Sequence, residues 1–131
     1  MHQRVAKSFV SGRVLLVGDA AHLNNPLGGF GMNSGIHDVW NLTTKLQAIL
    51  QQGAEAEPLL NLYDRQRRTV CTEFVQAQTI QNKQAMEGTG DDGRSMQEHR
   101  MDDLAGDPLK RRAYLMRQAM FSSLEREAEI S

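Results

Sequence analysis

Hydrophobic positions along the chain change their period more than once. Arg13-Val14-Leu15-Leu16-Val17-Gly18 opens as a short, unbroken aliphatic run, which predicts a strand buried on both faces, as in a parallel sheet covered by helices. Asp19 to Phe30 shows no periodicity, and Asn24-Asn25-Pro26 and Gly28-Gly29 punctuate it as a loop. From about Met32 the apolar residues return at helical spacing, at Ile36, Val39, Trp40, Leu46, Ile49 and Leu50, with Gly53 as the stop. A second helix starts near Glu55, tolerates Pro58 in its first turn and carries Leu59, Leu62, Tyr63, Val70, Phe74 and Ala77 on its apolar side. Met86 to Gly106 is rich in Gly, Asp and Glu and reads as a mobile connection. In the last helix Asp107 is the cap, Pro108 fits the first helical position, and Leu109, Ala113, Met116, Met120 and Leu124 make one stripe.

The pattern therefore predicts an α/β fragment, mostly helical, with one buried strand followed by about three helices. Its parts form one partial domain: a strand–loop–helix unit over 1–53, a long helix over 54–85, a flexible connection over 86–106 and a C-terminal helix over 107–131. Val14 to Val17 would want neighbouring strands, so apolar faces are left uncovered and a homo-oligomer is an expected consequence.

Composition narrows the function. The 131 residues are 40% hydrophobic and 24% charged, the balance of a globular chain. Lys plus Arg number 15 against 16 Asp plus Glu, a net charge of −1 that gives no footprint for nucleic acid or an anionic membrane. No apolar run approaches the ~20 residues that span a bilayer. Cys71 is the single cysteine, so an internal disulfide and a cysteine zinc cluster are excluded. With no signal peptide pattern at the start, a cytoplasmic location is expected.

Candidate chemistry concentrates between Gly18 and Leu42. Gly29, Gly31 and Gly35 depart from the dinucleotide fingerprint GxGxxG and lie too far beyond the strand for it. Their value is that a flat ligand can approach main chain where no Cβ intervenes. Gly31-Met32-Asn33 sits at a helix start, whose unpaired amides carry roughly half a positive charge and favour an anionic group. Asp19 ends the strand, where a carboxylate accepts from hydroxyl donors; the plainer alternative is that it caps a local turn. Asp19 with His22, or His37 with Asp38, lacks a completed metal-ligand set. Around Asp91-Asp92-Gly93 the calcium-loop register fails, because Gly88 and His99 fall where acids belong. A GxSxG nucleophile elbow is absent.

Taken together, these residues resemble the C-terminal FAD motif of the single-component flavoprotein monooxygenases, the phenol and p-hydroxybenzoate hydroxylase type. The resemblance rests on Gly18-Asp19-Ala20-Ala21-His22, then Pro26, Gly28, Gly31, Asn33, Gly35, Asp38, Asn41 and Leu42, with Gly12-Arg13-Val14 before them and Leu62-Tyr63-Asp64-Arg65-Gln66-Arg67-Arg68 after. It covers about residues 5–70 and implies the C-terminal part of a Rossmann-like FAD-binding fold. It implies that Asp19 bonds the ribityl chain of FAD, and that the amides of Met32 and Asn33 meet the N1–C2 carbonyl edge of the flavin, which is anionic when reduced. Gly18 belongs to the same cofactor set, Gly28 and Gly31 let the loop pass close to the ring, and Pro26 lies beside the ring with its carbonyl toward the substrate.

The implied reaction uses NADH or NADPH to reduce FAD and O2 to hydroxylate a small aromatic, phenolic substrate. The flavin carries that chemistry, so no catalytic side chain and no metal are assigned, and His22 is given loop support. Arg65, Arg67 and Arg68 read as a solvated helix face rather than as contacts to a nucleotide phosphate. The family's N-terminal GxGxxG segment, which holds the ADP half of FAD, does not appear, so a missing N-terminal FAD-binding segment is an expected partner. The alternatives are a helical interaction module or truncated fragment without redox activity, and a related flavin-dependent halogenase or epoxidase.

Overall fold

The structure is a computed structural model that describes residues 4–24, 29–77, 80 and 101–131. Pro26, Gly28, the far end of the predicted long helix, the Asp91-Asp92-Gly93 stretch and most of the predicted connection lie outside them.

The strand expectation needs correction. The described residues hold four strands of two residues each, β1 (Arg4–Val5), β2 (Val10–Ser11), β3 (Val14–Leu15) and β4 (His22–Leu23). They pair antiparallel, β1 with β4 (Val5 opposite His22) and β2 with β3 (Val10 opposite Leu15). The aliphatic run is thus the return arm of a hairpin, and Val14 is 60% exposed rather than buried on both faces. A local signal causes this: Gly12 takes a φ of +56° at the first position of a two-residue turn, which suits the twist of a tight hairpin.

Among the described residues the helical segments outnumber the three or so expected. α1 (Phe30–Gln52) ends at Gly53, whose φ of +70° lets the Ala54 amide reach back to the Ala48 carbonyl at 3.1 Å. α2 (Ala56–Val70) buries Tyr63, Gln66, Arg67 and Val70 and runs into a wider π turn over Cys71–Gln76, which keeps Cys71 and Val75 inside. Residues 101–106 are helical, so that end of the predicted connection is ordered. The Asp107 side chain then accepts from the Leu109 and Lys110 amides, at 2.8 and 3.2 Å, and starts α3 (Pro108–Gln118) with Pro108 in its first turn.

The expected single C-terminal helix is broken. Met120 adopts a left-handed φ of +62° and separates α3 from α4 (Phe121–Glu129). The stripe therefore does not act as one face: Leu109 is 80% exposed while Met120 is buried. The corner instead buries Ser123 and turns Glu127 toward α1 and α2.

The core joins Phe9, Ala21, Phe30, Leu42, Tyr63, Cys71, Val75 and Met120. α2 clamps the hairpin onto it, because the Tyr63 hydroxyl donates to the Leu16 carbonyl at 2.6 Å and the Phe9 amide donates to Asp64 at 2.6 Å. Burial and the Asp38 charge raise the Tyr63 pKa, so the hydroxyl remains a donor. Burial, followed by Asp38, likewise pushes the Cys71 thiol up to about 12.

Candidate functional site: a glycine turn at a helix mouth

Gly18–Ala20 forms a 3-10 turn ahead of β4, with Gly18 at a φ of +58°. Helix α1 passes directly beneath it. A Cβ on Gly35 would stand 3.2 Å from the Gly18 Cα, closer than most real Cβ contacts, so both glycines let turn and helix touch backbone to backbone. Part of the glycine concentration is thus explained by packing within the chain.

Gly31 has a different neighbour. A Cβ there would lie 4.0 Å from the Asp19 Oδ1, which places the exposed Asp19 carboxylate over the first turn of α1. That helix starts at Gly29 without a side-chain cap. Its orphan amides fall on Gly29, Phe30, Gly31 and Met32, and Met32 is 75% exposed. Asn33 stands one position later, where its amide closes the first turn onto Gly29; its side chain also donates to the Gly29 carbonyl at 3.3 Å. Among the described residues the free set at this mouth therefore ends at Met32. A hydroxyl acceptor set beside uncapped N–H groups fits a ligand with a polyol chain and an electron-rich carbonyl edge.

Behind the mouth lies a polar network whose centre, Asp38, His22 and Arg67, is fully buried. The Asp38 carboxylate accepts from the Gly18 amide (3.0 Å), from His22 Nε2 (2.6 Å) and from Arg67 Nε (2.7 Å). His22 Nδ1 accepts from Asn24 at 2.9 Å, so the neutral Nε2–H tautomer satisfies both ring nitrogens. Burial pushes the Asp38 carboxyl up, but the His22 bond and the Arg67 guanidinium outweigh it and hold the pKa below its ordinary value. Arg67 also binds Glu127 and donates to the Ser34 carbonyl at 3.3 Å; burial lowers its pKa, yet Asp38 and Glu127 leave it raised.

This overturns the reading of Arg67 as solvated: it is wholly buried, whereas Arg65 is exposed and Arg68 pairs with Asp64 at 3.3 Å. Beside it, Asn41 and Lys45 bond Gln66 Oε1 at 3.0 and 2.9 Å, and Gln66 donates to the Glu127 and Ile130 carbonyls. Arg67 was detectable, since residues 63, 66, 67 and 70 share one face with Tyr63 and Val70. Glu127 left no signal, lying 60 residues from its partner.

Of the cofactor residues expected from the sequence, Gly18, Asp19, Gly31, Met32 and Asn33 converge on the glycine turn and helix mouth. Pro26 and Gly28 lie outside the described residues. His22 and Asp38, weighed as ligands of separate metal pairs, bond each other. Among the described residues no three metal-ligating side chains converge.

An acid-bearing glycine turn thus packs against a helix start that has no side-chain cap. The chain belongs to the family described as FAD binding domain, which matches residues 1–78, and FAD is that family's cofactor. It is 40% identical over 96 residues to the tetracenomycin B2 monooxygenase-dioxygenase of Streptomyces olivaceus, covering 73% of this chain and 18% of that one. The crystal structure of p-nitrophenol 4-monooxygenase from Pseudomonas putida superposes with a TM-score of 0.79 at 33% identity, covering 95% of this chain and 31% of that one. The rebeccamycin biosynthetic enzyme RebC with reduced flavin superposes with a TM-score of 0.59 at 35% identity, covering 79% and 21%. The chain thus spans under a third of the length of each. Among the described residues no helix is long and apolar enough to cross a membrane.

Proposed function

We propose that this chain forms the flavin-facing part of an FAD-dependent monooxygenase that hydroxylates a small aromatic, phenolic substrate with NADH or NADPH and O2. The observation that carries the reading is the Asp19 carboxylate poised over Gly31 at the uncapped start of α1. FAD, when bound, supplies the redox chemistry and the activation of oxygen. Asp19 would accept hydrogen bonds from ribityl hydroxyls. The Gly31 and Met32 amides would face the N1–C2 carbonyl edge, an interaction worth ~0.3–1 kcal/mol and up to ~2 when partly buried. Asn33 steadies the turn through Gly29, Gly18 shapes the Asp19 turn, and the motif assigns Gly28 to close approach and Pro26 to the border between flavin and substrate.

A pyrophosphate-binding segment must come from elsewhere, since the chain has no GxGxxG placed directly after a strand. The exposed Met32, Ile36 and Trp40 on α1 support such a partner, because they leave an apolar face for further protein to cover. Alone, the chain is expected to bind FAD weakly or not at all. Replacing the matching segment of the Pseudomonas putida p-nitrophenol 4-monooxygenase with residues 1–78 tests the reading. The chimera should retain yellow FAD and consume NAD(P)H and O2 with its aromatic substrate, and Asp19→Ala within it should weaken FAD by about tenfold or more. A folded, colourless chimera would favour the helical interaction module.

A further inference from the structure

The polar network behind the mouth connects it to a helix outside residues 1–78. Glu127, on α4, accepts from Arg67 Nη1 and from Asn41 Nδ2. The Arg67 guanidinium is planar and rigid, so anchoring Nη1 sets the direction of Nε toward Asp38 Oδ1 at 2.7 Å. The other Asp38 oxygen holds the Gly18 amide at 3.0 Å and His22 at 2.6 Å. Gly18 has no side chain, is left-handed and rides on Gly35, and this bond and the 2.9 Å bond from the Ala21 amide to the Gly18 carbonyl hold its turn. Without the Glu127 carboxylate a buried Nη1 would lack its acceptor. The guanidinium would then turn to find another, and Asp38 would follow it.

We propose that Glu127 is a positioning residue for the cofactor mouth: through Arg67 and Asp38 its carboxylate fixes the Gly18–Asp19 turn that presents Asp19 to the ligand. The proposal rests on the flavin reading for what the turn binds, while the relay itself is independent of it. The C-terminal helix pair is on this account part of the site.

Amide hydrogen exchange on the isotope-labelled full chain tests it, with Glu127→Ala, Glu127→Gln and, as a control on the same helix, Glu129→Gln, whose partner is the exposed Arg126. Gly18 exchange should quicken about tenfold in Glu127→Ala. It should rise less in Glu127→Gln, which keeps one acceptor oxygen, and stay unchanged in Glu129→Gln. Leu46, inside α1, reports global stability. Gly18 moving only in step with Leu46 in both Glu127 variants, or not at all, overturns the relay. FAD is then titrated into the wild-type chain to millimolar concentration. Shifts at Gly18, Gly31 and Met32 that need several-fold more FAD in Glu127→Gln support the positioning role. If Gly18 exchange responds to Glu127 but FAD moves none of those amides, the relay stands and the positioning role fails, while retention of FAD by the chimera decides the flavin reading separately.

Discussion

At Asp38 burial and pairing compete within a single side chain, and pairing prevails. Its folded pKa lies below 3.8, so it stabilises the fold above that value and loses its contribution as the pH falls through the folded value. His37 is also lowered, from 6.5, first by burial and then by Arg67, against the opposing pull of Glu127 and Asp38. For a base, too, a lowered value means that the folded state holds fewer protons, so its contribution is complete above 6.5 and is lost below. Urea midpoints should therefore decline in two steps on acidification, one below 6.5 and one below 3.8. His37→Gln should abolish the first and keep the second; an unchanged upper step would refute the assignment. Asp38→Asn leaves the buried guanidinium of Arg67 short of an anionic partner, and urea unfolding at neutral pH should show a loss of about 3–5 kcal/mol.

Between elements, the decisive contacts are those where backbone meets backbone or a helix is redirected. Gly35→Ala gains about 1 kcal/mol of helix propensity, yet its methyl would press on the Gly18 Cα at 3.2 Å. Overpacking of that kind costs about 1–3 kcal/mol, so thermal unfolding should show a net loss, and a gain would mean that the turn gives way freely. Met120→Gly relieves about 1 kcal/mol of left-handed strain but empties a buried site worth about 2–5 kcal/mol, so it too should destabilise. These contacts mark what the sequence conceals. The extent of α1, the Asp107–Pro108 start of α3 and the closeness of Gly18, Asp19 and Gly31 follow from local periodicity, caps and motif spacing. The hairpin also has a local signal in the Gly12 turn, but the unbroken aliphatic run that follows masks it. Met120 resembles any stripe residue until its φ is known, and the Arg67–Glu127 pair depends on how distant helices pack, which periodicity does not encode.

Across the described residues, a buried polar cluster coexists with several large apolar residues left exposed. Met32, Ile36, Val39 and Trp40 are exposed on α1, with Trp40 at 77%. Sedimentation of the isolated chain should reveal concentration-dependent self-association, and Trp40→Lys should shift it toward the monomer; identical profiles would assign that face no adhesive role. The buried sulfhydryl at Cys71 has a different consequence. A thiol held protonated until about pH 12 gives an alkylating reagent almost nothing to attack in the native molecule. Uptake of such a label would therefore time the excursions in which α2 lifts away from its neighbours, a clock for breathing already installed at the chain's single cysteine.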